Sequence, residues 1–155
     1  MFMRIDVKTE QRKFWKIFDE KLIENGEPFS ILHEKGGEVT YWGVVNKRHS
    51  FVDNALSIDF LVRAQKLRIN IYIRDDFRLF SRFENHKQEV ETIIGKKVDW
   101  LKGTTNTNTR RIAHIVSVNT GYYSNYDEVI DEILPVVESM KNVCELYAKN
   151  DFFDF

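Results

Sequence analysis

The chain has 155 residues, 43% hydrophobic and 30% charged, with a formal net charge of −1; it is long enough for one domain with its own core, and the balance excludes a collagen-like, disordered or strongly basic chain. Its single cysteine, Cys144, excludes an internal disulfide and leads us to expect a reducing, cytoplasmic home. It shows neither an apolar run of membrane-spanning length nor a signal-peptide pattern, so no membrane partner is expected.

The stretch TEQRKFWKIFDEKLIEN predicts a helix. Thr9 is the expected cap, Phe14, Phe18 and Leu22 recur at every fourth position, and Gly26 and Pro28 end it. EKGGE predicts a turn and VTYWGVV (Val39–Val45) a first strand; Gly36-Gly37 therefore leads into a strand and is no phosphate cradle. Two alternating runs follow. In ALSIDFLVR, Leu56, Ile58, Phe60 and Val62 share one face, and in KLRINIYIR, Leu67, Ile69, Ile71 and Ile73 do the same. A hairpin across Ala64-Gln65, with Arg63 opposite Lys66, puts both apolar rows on one side and Asp59, Arg63, Arg68, Asn70, Tyr72 and Arg74 on the other.

DDFRLFSRFENHKQEVETIIG predicts one helix, capped by Asp75 or Asp76, ended by Gly95 and buried along Phe80, Phe83, Val90 and Ile94. KVDWL reads as a short strand, and RRIAHIVSV as a longer one with Ile112, Val116 and Val118 on one face. A long helix closes the series; Asn125 and Glu128 have capping-box spacing, and Pro135 is expected to kink or split it. The resulting order α-β-β-β-α-β-β-α predicts an α+β fold: a five-stranded, mainly antiparallel sheet with three helices packed on one face. A single domain over 1–150 and an acidic-aromatic tail over 151–155 complete the expectation.

The catalytic motifs are missing. The sequence has no Walker glycine loop, no GxGxxG, no HExxH and no GxSxG elbow, and His33, His49, His86 and His114 lack zinc-ligand spacing with Cys144. His114 alternates with Ile112 and Val116 and reads as a packed or edge histidine. No catalytic residue, metal or cofactor is assigned, although a metal-dependent hydrolase with carboxylates from distant segments stays as a rival. The feature that stands out is arginine interleaved with aromatics. Arg68 and Tyr72 lie on the polar side of the hairpin, Arg110 and Arg111 open the last strand, and Trp42 and Trp100 lie in strands. Thr107 and Asn108 belong to the polar ribbon TTNTNT just before the arginine pair. Guanidinium forks match phosphate oxygens, aromatic faces stack on bases, and Thr and Asn contact phosphates or base edges. Cross-strand pairing on an exposed face, with the tryptophans in the core, is the competing account. Residues 126–155 hold eight acids against two lysines, −6, which leaves +5 on the rest and hints at an anionic partner.

The segment RINIYIRDDFRLFSRFENHKQEVETIIGKKVDWLKG, with the later TRRIAHI, resembles the bacterial family catalogued as domain of unknown function 4268. The matching features are an Arg-containing strand (Arg68–Ile73), a helix with a Phe and a run of Lys and Glu (Phe80–Ile94), Gly95, a short strand with Trp (Val98–Trp100) and the later pair Arg111-Ile112. Phe14–Phe18 fits the family's opening helix. Members often form the C-terminal part of chains with restriction-nuclease-like domains, so the resemblance implies a link to nucleic acid and host–phage conflict. No such domain is expected ahead of the segment here, and that expectation favours binding over cleavage. The expectation is a non-enzymatic, homodimeric binding protein in bacterial defence or phage counter-defence, located in the cytoplasm of a bacterial cell or phage-infected host. Its ligand would be a signalling nucleotide or nucleic acid. Arg68, Arg110 and Arg111 would pair phosphates, Tyr72 and Trp100 would stack, and Thr107 and Asn108 would add polar contacts. The alternatives are a protein–protein adaptor or inhibitor using the acidic last helix and Phe152, Phe153 and Phe155, and a stand-alone accessory domain of a restriction-nuclease-like system.

Overall fold

The computed structural model describes residues 5–25, 31–35, 38–44, 55–74, 77–102 and 109–147. Along them run α1 (Val7–Asn25), β1 (Ile31–Lys35), β2 (Glu38–Val44), β3 (Ala55–Leu61), β4 (Lys66–Arg74), α2 (Phe77–Asn85), α3 (Lys87–Ile94), β5 (Asp99–Leu101), β6 (Thr109–Ser117), a 3-10 turn (Gly121–Tyr123) and α4 (Tyr126–Tyr147). The strands form one sheet in the order β1-β2-β3-β4-β6-β5, and every neighbouring pair is antiparallel. The fold is α+β, as the pattern predicts. The five strands and three helices expected from the sequence are corrected to six strands and four α-helices among the described residues.

Both additions have local causes. β1 is a five-residue run without clean alternation, and it becomes a strand by pairing with β2, from Ile31 opposite Trp42 to Lys35 opposite Glu38. The intervening Gly36-Gly37, read as a turn, lies outside the described residues. The single helix expected up to Gly95 breaks at His86. There the His86 N–H donates to the Phe83 carbonyl (3.0 Å), tightening the turn, and Val90 N–H restarts the helical pattern on the His86 carbonyl (2.9 Å). Asn85 and His86 are weak helix formers, so the break falls where propensity is poorest. Gly95 ends α3 in the left-handed region (φ 70°), its N–H on the Glu91 carbonyl. The expected caps Asp75 and Asp76 lie outside the described residues.

The α1 cap is Asp6 rather than Thr9: Asp6 Oδ1 accepts from the N–H groups of Lys8 (3.1 Å) and Thr9 (3.4 Å). The Thr9 side chain and these N–H groups hold the Asp6 carboxyl below the usual carboxylate range. Asn125 caps α4 through its carbonyl, which accepts from Val129 N–H, but its Oδ1 takes Asn119 N–H (2.9 Å), so the capping box is not formed. α4 runs unbroken through Pro135. Pro135 and Asp131, whose carbonyl it orphans, are both exposed, so the lost bond falls on the solvent side of the helix.

The β3–β4 hairpin keeps the predicted faces but not the predicted register. Lys66 stands opposite Leu61 and Ile69 opposite Ile58, a slip of two residues from the Arg63–Lys66 pairing. A two-residue link needs a turn with positive φ, which Ala64-Gln65 supplies poorly. The chain instead turns over Val62–Gln65, with Gln65 N–H on the Val62 carbonyl (3.1 Å) and Gln65 itself at φ 53°. Because the slip is even, no side chain changes face.

Leu56, Ile58, Phe60, Leu67, Ile69, Ile71, Ile73 and Ile112 form one buried cluster with residues from all four helices. At its centre Phe14 contacts Trp15 (4.8 Å between ring centroids), Phe60 (4.7 Å), Tyr126 (5.5 Å) and Phe18 (6.2 Å). Beside them the Glu10 carboxylate accepts from the Tyr126 hydroxyl (2.5 Å) and from Gly121 N–H (3.1 Å), joining the start of α1 to the entry of α4. Burial, then the bond to Glu10, pushes the Tyr126 hydroxyl well above its ordinary value. The raised folded-state value contributes stability below the ordinary tyrosine range, and that contribution fades as pH climbs through the shifted one. With all four helices on one side, no described helix covers the other face of the sheet.

Candidate functional site

Alternation along the strands decides what reaches the helix-free face. Register places Ser57 beside Asn70 and Asn70 beside Ala113 in one row across β3, β4 and β6. The adjacent rows are Asp59–Arg68–Ile115 on one side and Tyr72–Arg111 on the other. β5 adds Asp99 beside Ala113 and Leu101 beside Arg111.

These groups are tied together. The Arg68 fork donates Nε (3.0 Å) and Nη2 (2.8 Å) to Asp59 Oδ2. Asn70 Nδ2 donates to Ser57 Oγ (2.8 Å) and to the same Asp59 oxygen (3.1 Å). The Arg68 and Asp59 side chains are 23% and 12% exposed, so the ion pair is largely shielded from water. In the next row the Arg111 guanidinium sits 4.9 Å from the centre of the Tyr72 ring, a cation–π pair between register partners. The middle row is fully buried: Ser57 is 1%, Asn70 0% and Ala113 0% exposed. The helix-free face thus sets a buried row between an ion-paired arginine on one side and an arginine lying on an aromatic ring on the other.

The seven residues singled out from the sequence do not all meet. Arg68, Tyr72 and Arg111 share the helix-free face. Arg110, one residue along the same strand, stands opposite Ile73 on the helix side. Its guanidinium lies 4.2 Å from the Phe77 ring centre and donates to the carbonyls of Lys102 (2.6 Å) and Thr109 (3.0 Å). Trp100 is opposite Ile112, also on the helix side. Its Nε1–H donates to Glu91 Oε1 (3.1 Å), its ring packs edge-on to Phe80 (6.0 Å), and Lys87 Nζ sits 5.3 Å above it. Thr107 and Asn108 lie outside the described residues. Trp42 is in β2, opposite Ser57 and Ile31. His114 is an edge histidine: its Nδ1 donates to the Lys97 carbonyl (2.8 Å). Among the described residues no three His, Cys, Asp or Glu side chains are grouped to hold a metal ion, and no helix is long and apolar enough to cross a membrane.

Ser57, Asp59 and Asn70 join the site without having been assigned to it. Asp59 and Asn70 are polar positions in strands whose other face is wholly apolar, a signal that was available in the sequence.

A family model described as "Domain of unknown function (DUF4268)" matches residues 10–148. No curated protein and no solved structure matches.

Proposed function

The chain belongs to the family described as domain of unknown function 4268 (DUF4268), and from that premise we propose that it is a non-enzymatic protein binding a phosphate-bearing ligand, a signalling nucleotide or nucleic acid, on the helix-free face of its sheet. The observation that carries the reading is the Tyr72–Arg111 pair beside the buried Ser57–Asn70–Ala113 row. Arg111 supplies the charge for phosphate and Tyr72 the ring for stacking. Arg68, already neutralised by Asp59, holds the floor in place rather than competing for phosphate. A cytoplasmic setting in bacterial defence or phage counter-defence and a homodimeric state belong to the same proposal; native mass spectrometry reads subunit count and bound mass together.

Arg111→Ala weakens ligand binding by about 1–3 kcal/mol, the range for a lost charged hydrogen bond, measured by calorimetric titration with nucleotides and single-stranded RNA. With RNA the variant also loses affinity less steeply as salt rises. Arg110→Ala, on the opposite face, leaves affinity unchanged. Equal weakening in both variants, or none in Arg111→Ala, removes the helix-free face as the site.

A second reading, a protein–protein adaptor, is favoured by a different observation. Tyr122 and Tyr123 are 78% and 82% exposed on the 3-10 turn that Glu10 pins, just before the exposed Asp127, Glu128, Asp131 and Glu132. Exposed tyrosines on a fixed backbone are typical anchors of protein interfaces. The Phe-rich tail invoked for the same role lies outside the described residues. The double variant Tyr122→Ala/Tyr123→Ala abolishes partner capture in an affinity pull-down and spares nucleotide binding under this reading; retained capture ends it.

A further inference from the structure

Asn70 spends its amide nitrogen four times over, on Ser57 Oγ, the Ser57 carbonyl, Asp59 Oδ2 and the Arg68 carbonyl. Its oxygen, Oδ1, is buried and has no hydrogen-bond partner. The nitrogen faces β3, so the oxygen lies on the end of the amide turned from it, and the register partner on the other side is Ala113, whose methyl has no proton to give. Asp59 shows the same imbalance. Arg68 Nε, Arg68 Nη2 and Asn70 Nδ2 all converge on Oδ2, and no hydrogen bond among the described residues reaches Oδ1. A buried acceptor left unpaired is costly, and native proteins seldom keep one without a use. Asn70 Oδ1 is the buried one, a single row away from a tyrosine ring and an arginine, and Asp59 Oδ1 lies in the row beyond it.

We propose that these two rows read the base of the ligand: Asn70 Oδ1, with Asp59 Oδ1 in the next row, accepts N–H bonds from an exocyclic amino group. The inference rests on the phosphate-ligand reading and deepens it by naming the class, nucleotides of adenine, cytosine or guanine in preference to bases that lack the amino group. The chemistry discriminates by sign. An amino group donates into the two oxygens, whereas the carbonyl that replaces it in uracil sets lone pair against lone pair, and the hydrogen that replaces it in hypoxanthine (against guanine) or purine (against adenine) leaves the oxygens without a donor. Tyr72 and Arg111 complete the fit. The floor is closed to solvent in the free chain, so the face opens as the base binds, with Tyr72 against the base and Arg111 toward the phosphate.

The test is equilibrium binding to matched pairs: AMP against purine riboside 5′-monophosphate, GMP against IMP, and CMP against UMP. Poly(A) and poly(C) against poly(U) form the nucleic-acid arm and distinguish a free nucleotide from a polymer as the source of the base. The amino-bearing member binds at least about tenfold tighter, and the ratio falls to about one in Asn70→Leu. Should Asn70→Leu fail to fold, Asp59→Asn serves instead, since it replaces a carboxylate by an amide and lowers the same ratio. The wild-type ratio needs no variant. If the nucleotides bind and the members of each pair bind alike, the inference is overturned while the phosphate-ligand reading stands. If neither member of any pair binds in either arm, that reading fails first and takes the inference with it.

Discussion

Phe14→Ala lowers the free energy of unfolding by about 3–5 kcal/mol, the range for truncating a buried phenylalanine. Phe14 is 0% exposed and touches Trp15, Phe18, Phe60 and Tyr126, so the void opens between α1, β3 and α4 together. Its neighbours are large rings that cannot rotate into the gap without leaving their own partners, which puts the cost toward the upper end. Urea denaturation checks it: the midpoint falls with little change in slope. A loss below about 1 kcal/mol means that the aromatic cluster is not packed as described.

Asp59→Ala has the second large effect, about 2–3 kcal/mol of stability. Removing one member of a fully buried ion pair costs about 3–5 kcal/mol, and the partial exposure of Arg68 and Asp59 reduces that. The substitution strands the Arg68 fork and deprives the Asn70 amide of one acceptor, both beside a row closed to solvent. Asp59→Asn, which keeps an oxygen in place, costs less. If Asp59→Ala melts like the wild type, the Arg68–Asp59 pair contributes nothing and the buried row needs no support from it. The substitution also separates structure from function: in the folded fraction the preference for amino-bearing bases declines with the loss of Asp59 Oδ1, while binding of phosphate by Arg111 persists.

The strands were easier to read than the site, for reasons visible in particular residues. Period-two rows such as Leu67, Ile69, Ile71 and Ile73 fix the buried face whatever the register, because any even slip preserves it. Pairing partners depend on the turn, and the turn rests on Gln65 taking a positive φ that its side chain does not announce. The two-residue slip mattered for the site. With Arg63 opposite Lys66, Asp59 would face Asn70 and Arg68 would face Leu61; in the observed register Asp59 faces Arg68 and neutralises it. The same alternation that exposed the apolar rows also separates Arg110 from Arg111, so two adjacent arginines on a strand cannot grip one phosphate from the same face. Trp100 follows that logic too, since its neighbours Asp99 and Leu101 take the helix-free side. Caps were misjudged where two polar side chains competed for one role: Asp6 lies ahead of Thr9, and Asn125 gives its oxygen to Asn119.

The two hydrogen bonds accepted by Glu10 span 111 and 116 residues of chain. α1 is thus made early in synthesis, but Tyr126 and the α4 surface that cover its aromatic stripe are made late. On the ribosome the stripe of Phe14, Trp15 and Phe18 emerges well before Tyr126 and α4. It waits without its α4 cover while the sheet is translated, a natural target for a holding chaperone. Closure between elements so far apart also makes folding slow relative to a helical bundle of the same length, since the loop must be closed before its contacts repay it. Truncation before α4 therefore leaves a nascent chain with the aromatic stripe of α1 short of its α4 cover, and aggregation or degradation, rather than a smaller folded protein, is its fate.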